Sequence, residues 1–195
     1  MEDRLAPVLE YFNSITPLPR ELVDDILKYA VIKEYEKNEM ILKEGKVSNY
    51  CSWIIKGLTR SYHIRDAEDI TTKFLWEGAC ITSVYSYYSR KPSTENIVAM
   101  EHTLLASLHY DHMQYLYKEH PVFNVIGRVI TEQYLYMLEL EVYNLRKQKA
   151  EDRYQFIIKH IPHLLQRVPL KHLATYLGIN LETLSRIRAK ARQSP

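Results

Sequence analysis

The spacing of apolar residues changes character twice along the chain and divides it into a short helical start, a long β-prone stretch and a helical remainder. Thr16-Pro-Leu-Pro-Arg-Glu supplies a capping hydroxyl and prolines suited to a first turn. Leu22, Ile26, Leu27 and Tyr29 then share one face, which predicts a helix to about Ala30. From Val31 to about Tyr110 the period shortens. The runs Val31-Ile-Lys-Glu-Tyr, Met40-Ile-Leu, Cys51-Ser-Trp-Ile-Ile, Leu58-Thr-Arg-Ser-Tyr-His-Ile, Ile70-Thr-Thr-Lys-Phe-Leu, Asn96-Ile-Val-Ala-Met and Leu104-Leu-Ala-Ser-Leu predict strands, and their spacing predicts a β-sandwich or roll. Gly45, Gly57 and Gly78 fall between these runs, where the chain must turn.

From Asp111 onward the pattern is helical. Pro121 precedes a stretch to about Lys149 without internal proline, in which Leu135, Leu138, Val142 and Leu145 recur at three- and four-residue steps. Beside them run Ile126, Ile130, Met137 and Leu140. A helix with two apolar stripes must bury two faces, one on its own β domain and one on a partner helix, so a homodimer is expected. A further helix, with Tyr154, Ile157 and Ile158 on its apolar side, follows from Ala150 to near Pro162.

Composition narrows the function classes. With 195 residues and 46% hydrophobic content, the chain fits two small domains. It has no run of 18 apolar residues, and its acidic start, Met1-Glu-Asp, is unlike a secretory signal, so a soluble cytoplasmic protein with no membrane association is expected. Cys51 and Cys80 are the only cysteines and lack CxxC spacing, which predicts two reduced, packed thiols and no metal site or other cofactor. Charge is uneven. Residues 144–195 hold 11 Lys and Arg against 3 Asp and Glu, which leaves 15 against 21 for the rest of the chain. That asymmetry points to a basic module that meets a polyanion.

Within the basic segment, about Val168 to Lys190, each special position has a physical role. Ala174 is small where two helices must cross, Gly178 is free to take the left-handed turn, and Asn180 can cap the next helix with Glu182 in its first turn. Leu173, Leu177, Ile179, Leu184 and Ile187 fill the angle between the helices. Glu182, Thr183, Arg186 and Lys190 are left outside, on the face of a helix-turn-helix that enters a major groove.

Taken with the turns Glu44-Gly45, Lys56-Gly57 and Glu77-Gly78, and with Glu182-Thr-Leu-Ser-Arg-Ile, the chain from Pro17 to Lys190 resembles the cyclic-AMP receptor and Fnr-like (Crp/Fnr) family of bacterial regulators. The resemblance implies an α+β chain. A cyclic-nucleotide-binding-like jelly roll (1–110) serves as sensor, a dimerisation helix region follows (111–149), and a helix-turn-helix domain (150–195) binds duplex DNA. It also implies that Glu182 and Arg186 read bases while Thr183 faces a phosphate. Leu181 stands where the best-known member has an arginine, so a different operator is expected. Relatives continue into a β-hairpin wing, whereas only Ala191-Arg-Gln-Ser-Pro follows here, and Arg188, Lys190 and Arg192 are expected to supply backbone attraction in its place.

In nucleotide-binding members of that family a glutamate and an arginine hold the ribose and the cyclic phosphate. The matching positions here carry Ser83 and Ser93, so cyclic AMP is not the expected effector. Arg90 and Lys91 read as solvated loop charges. Tyr85, Tyr87 and Tyr88, with Ser83, Ser93 and Thr94, are candidates for the pocket of an unknown small-molecule effector. His63, His102, His109, His112 and His120 are numerically sufficient for haem ligation but complete no spaced motif. No GxSxG, HExxH or P-loop pattern points to an enzyme. The expected function is a dimeric transcriptional regulator, with RNA polymerase as a further partner if it activates. The alternative is a ligand-binding or protein-interaction module of the same fold that has lost DNA binding.

Overall fold

The computed structural model describes residues 2–147 and 149–193, without the side chains of Leu145, Lys147, Arg192 and Gln193. The chain opens with helix α1 (Glu2–Ile15), which buries Leu5, Val8 and Phe12 at helical spacing, and α2 (Arg20–Tyr29), which buries Leu22 and Ile26. The second helix starts later than the Thr16 cap predicts. Pro19 is extended at φ −60, ψ 145 and serves as N-cap, so the proline pair forms the link and Arg20 begins the turn.

Eight strands follow: β1 (Val31–Tyr35), β2 (Met40–Leu42), β3 (Tyr50–Lys56), β4 (Leu58–Arg65), β5 (Glu68–Trp76), β6 (Cys80–Ile81), β7 (Asn96–Ala99) and β8 (Thr103–His109), with helix α3 (Val84–Ser89) between β6 and β7. They form two four-stranded sheets, β1-β8-β3-β6 and β2-β7-β4-β5, a jelly-roll strand order. Asp66 and Ala67, at φ 53 and 63, make the two-residue turn between β4 and β5.

Pleating gives the first sheet two apolar faces. β3 and β8 pair with Cys51 opposite Leu108, Trp53 opposite Ala106 and Ile54 opposite Leu105. Cys51, Trp53, Ala106 and Leu108 pack in one core with Phe12, Leu22, Leu116 and Phe123 from the helices, while Ile54, Ile81, Ile97 and Leu105 fill the inside of the roll. Phe12 lies edge-on to Trp53 at 5.1 Å.

Six further helices complete the described chain: α4 (Tyr110–Glu119), α5 (Pro121–Lys147), α6 (Ala150–His160), α7 (Leu164–Arg167), α8 (Leu170–Tyr176) and α9 (Leu181–Gln193). The chain divides into two compact units, Met1–Ser61 with Phe74–Tyr134, and Tyr62–Lys73 with Leu135–Pro195. The division falls inside α5, and the outer part of the β4–β5 hairpin belongs with the C-terminal helices. In that second unit the Thr71 amide donates to Thr175 Oγ1 at 3.2 Å, and the two hydroxyls bond at 2.9 Å.

Gly57 is required by close approach. Its φ is +104, and a Cβ there would lie 2.5 Å from Thr103 Oγ1 and 2.7 Å from Thr103 Cα; its amide donates to Glu77 at 2.8 Å. Gly45, at φ +83, has open space around the same position. Gly45→Ala should therefore cost about 1–2 kcal/mol of backbone strain. Gly57→Ala should cost roughly 1–3 kcal/mol more, because overpacking against backbone adds to that strain. Urea unfolding of both variants measures the difference, and equal losses would contradict it.

Candidate functional site

The link between α8 and α9 is a fully satisfied turn. Gly178 is left-handed at φ +67, its amide bonds to Thr175 O, and the Ile179 amide bonds to Ala174 O, both at 3.0 Å, the pattern of a glycine-terminated helix. Asn180 Oδ1 accepts from the Thr183 amide at 2.8 Å and caps α9. Leu173, Ala174, Leu177, Leu184 and Ile187 are buried between the helices together with Tyr154, Ile157, Leu164 and Val168; Ile179 is half-buried.

Arg153, which the sequence pattern did not single out, reaches from α6 and donates Nε at 3.1 Å and Nη2 at 2.6 Å to Leu177 O. A helix end leaves carbonyls without partners, and a charged bidentate donor is a strong way to satisfy one. The end of α8, where the turn to α9 begins, is thus tied to α6.

Glu182 and Arg186 lie exposed on the outer face of α9, with Thr183 and Arg188 half-buried. Arg186 Nη2 stands 3.4 Å from Thr183 Oγ1. Lys190, also exposed, pairs with Glu151 at 3.2 Å, a contact that the helical wheel of α9 alone does not reveal. Leu181 is exposed beside this row.

On α5, Ile126 is buried and Ile130 packs against the helix-covered core of the first unit. Leu135 and Met137 are 63% and 60% exposed, Leu138 and Leu140 are also exposed, and Val142 is half-buried. The second stripe of the sequence pattern therefore splits, its beginning covered by the chain itself and its end open. The side chain of Leu145 lies outside the described residues. Tyr136 and Tyr143 extend the open apolar surface.

In the segment between β6 and β7, Ser83 and Ser93 are buried and face each other at 3.1 Å. Ser93 is held further by Glu95 O, and its backbone exchanges bonds with Gly45 and Lys46. Ser86 Oγ donates to Lys91 O at 2.6 Å and accepts from the Ser48 amide. Arg90 is not a solvated loop charge: left-handed at φ 58, it donates to Ser48 O, Tyr87 O and Asn49 Oδ1, and its guanidinium stacks 4.0 Å from the Tyr110 centroid. Lys91 is exposed.

The tyrosines do not form the expected pocket. Helix α3 turns Tyr85 and Tyr88 out to solvent, whereas Tyr87 is buried in the helix-covered core, where desolvation pushes its phenol far above the ordinary range. Thr94 is exposed.

A cavity of about 220 Å³ lies instead among Lys33, Tyr35, Ser48, Tyr50, Ser52 and Thr82, with Ile81 and Ile97 among its apolar walls. Lys33 Nζ sits 3.0 Å from the Tyr50 ring centroid, and burial lowers the pKa of this ammonium. Arg60 on β4 is only 3% exposed, an uncommon setting for a guanidinium. Neither Lys33 nor Arg60 announced itself, because alternation along a strand does not say which face is inward.

Three of the candidate histidines serve local contacts. His109 accepts from the Asp111 amide at the start of α4, His112 stacks on Tyr29, and His120 bonds to Asp25 at 2.8 Å. Among the described residues there is no group of three metal-ligating side chains, and no helix is long and apolar enough to cross a membrane.

Residues 32–120 match the family model of the cyclic nucleotide-binding domain. No curated protein matches the chain in sequence. Among solved structures, FixK2 from Bradyrhizobium japonicum is similar at 19% identity and TM-score 0.70, covering 84% of each chain. A putative transcriptional regulator of the crp/fnr family from Eubacterium rectale is similar at 15% identity and TM-score 0.70, covering 90% of this chain and 84% of its own. The catabolite activator protein of Thermus thermophilus has 20% identity and TM-score 0.56, covering 92% and 86%. The chain therefore has a β-rich cyclic-nucleotide-binding-type domain with accompanying helices, in a fold shared with regulators of the Crp/Fnr kind.

Arg153→Ala should loosen the α8–α9 turn by about 1.5–3 kcal/mol, the worth of hydrogen bonds from a charged donor. Hydrogen exchange should show α8 and α9 amides losing protection while β3 and β8 keep theirs. Unchanged exchange in α9 would contradict the clamp.

Proposed function

We propose that this protein is a dimeric, sequence-specific DNA-binding transcriptional regulator of the Crp/Fnr type whose roll answers to a signal other than cyclic AMP. The observation that carries the reading is the row Glu182, Arg186 and Lys190 along the outer face of a capped, basic α9 held at a fixed glycine turn from α8. In a helix-turn-helix, that row enters the major groove. Arg186 donates a bidentate pair to guanine O6 and N7, Glu182 accepts from cytosine N4, and Thr183 with Arg188 and Lys190 meets phosphates. The fold shared with transcriptional regulators supports this reading, as does the excess of 11 cations over 3 anions in residues 144–195.

The open apolar surface of α5 at Leu135, Leu138 and Val142, continued in the sequence by Leu145, fits a second copy of the same helix. Two copies would present two α9 helices to half-sites about 34 Å apart, one helical turn. A signal received in the roll shifts the α5 pair and re-aims the reading helices. If the protein activates transcription, RNA polymerase is its next partner.

A cyclic nucleotide suits the segment between β6 and β7 poorly. Ser83 and Ser93 offer hydroxyls that already bond each other, and Arg90 is committed to backbone and Asn49 acceptors. A phosphate bound between those serines would have no paired guanidinium there. The cavity beside Lys33 is the better place for an effector.

Operator selection with the purified full chain tests the DNA-binding reading, because an interaction module enriches no sequence. On the selected operator, Arg186→Ala should lose about 1–3 kcal/mol, and Lys190→Ala should lower the log–log salt slope by about one. Fluorescence anisotropy measures both, and an Arg186→Ala protein that binds as tightly as the wild type refutes the assigned reader. Leu135→Asp should convert the dimer to monomer in sedimentation velocity and weaken binding to a two-half-site operator more than to a single half-site. A monomeric wild type would remove α5 as the dimer helix.

A further inference from the structure

Cys51 and Cys80 are free thiols on neighbouring strands, and their Sγ atoms are 3.1 Å apart. In the β3–β6 pairing Trp53 opposes Cys80, so Cys51 is the diagonal neighbour of Cys80. The two cysteines differ in access. Cys51 is only 8% exposed, inside a core that contains Trp53, Tyr87 and Leu108, whereas Cys80 is half-buried. They also differ in freedom. β3 lies between β8 and β6, while β6 is a two-residue strand at the edge of the sheet, two residues after Gly78. A disulfide needs its sulfurs about 2.05 Å apart, so closure asks for roughly 1 Å of movement, which the edge strand can supply.

We propose that Cys51 and Cys80 form a hydroperoxide-reactive dithiol that closes to an intramolecular disulfide. In the first step the Cys80 thiolate attacks one oxygen of the hydroperoxide. An S–O bond forms, the O–O bond breaks, the alcohol (water from hydrogen peroxide) leaves with the proton, and Cys80 becomes a sulfenic acid. In the second step the Cys51 sulfur attacks Cys80. The S–S bond forms, the S–O bond breaks, and the departing hydroxide takes the Cys51 proton as water. Two thiols are oxidised and one peroxide is reduced.

Cys80 is the peroxidatic sulfur because oxidant reaches it first, and Cys51 is the resolving one because it is already in contact. The hydrogen bond with Cys80 and burial hold the Cys51 thiol well above the usual range, so the first attack falls to Cys80. A dithiol reductant reopens the bond by thiol–disulfide exchange. The bond would fasten the start of the segment that carries Ser83 to β3.

The test uses the full-length reduced protein, treated with hydrogen peroxide or cumene hydroperoxide and read by intact mass and thiol alkylation, so it stands whether or not the chain binds DNA. The expected product is lighter by two hydrogens, has lost both thiols together, stays uncrosslinked between chains, and regains both thiols with dithiothreitol. Dimedone should label position 80 in Cys51→Ser and should leave position 51 unlabelled in Cys80→Ser. Gain of oxygen without loss of hydrogen overturns the proposal, as do chain-to-chain disulfides or two thiols that persist while an exposed reference thiol is consumed.

Discussion

The sheet β1-β8-β3-β6 is covered on both faces, and the roll is organised around that requirement. One face closes the inside of the roll through Ile54, Ile81 and Leu105; the other is roofed by Phe12, Leu22, Leu116 and Phe123. A strand buried on both sides cannot alternate apolar with charged residues, and β3 and β8 accordingly read Tyr-Cys-Ser-Trp-Ile-Ile-Lys and Thr-Leu-Leu-Ala-Ser-Leu-His. Among the polar groups inside, Ser52 pairs with Ser107 at 2.7 Å, whereas Trp53 Nε1 and the Tyr87 hydroxyl are buried without a hydrogen-bond partner among the described residues. The same double coverage sets Cys51 and Tyr87 beneath the helices.

How much of this was legible depended on how local the cause was. The strand runs were plain because each carries its own apolar signal, and the α8–α9 turn was plain because Gly178 and Asn180 act on their immediate neighbours. Helix α1 was missed although Leu5, Val8 and Phe12 have helical spacing: Pro7, which reads as a helix breaker, lies inside it. Arg153 was invisible for the opposite reason, since its acceptor is 24 residues away. The tyrosine cluster failed on periodicity. In a six-residue helix, positions 85 and 88 share a side while 87 points elsewhere, but so short an element gives no pattern from which to read that.

The segment between β6 and β7 shows how a buried stretch can be kept folded without charge at its centre. Burying an ion pair is costly unless its geometry is excellent, whereas two hydroxyls satisfy one another cheaply. Here Ser83 with Ser93 and Ser86 with Lys91 and Ser48 tie the segment to the roll, and Arg90 closes its end by bonding backbone acceptors. The segment is thus braced by its own contacts, and its conformation does not wait on an anion for completion.

The ion pair between Lys190 and Glu151 gives α9 a built-in rival to its proposed ligand. A duplex that offers only phosphates must displace a carboxylate tethered to the same unit, and it then leaves that carboxylate near its own negative charge. A duplex that also satisfies Glu182 and Arg186 is compensated for the exchange. The bridge adds little to stability, being exposed on both sides, but with α9 bound to duplex DNA as proposed it would tax indiscriminate binding more than correct binding.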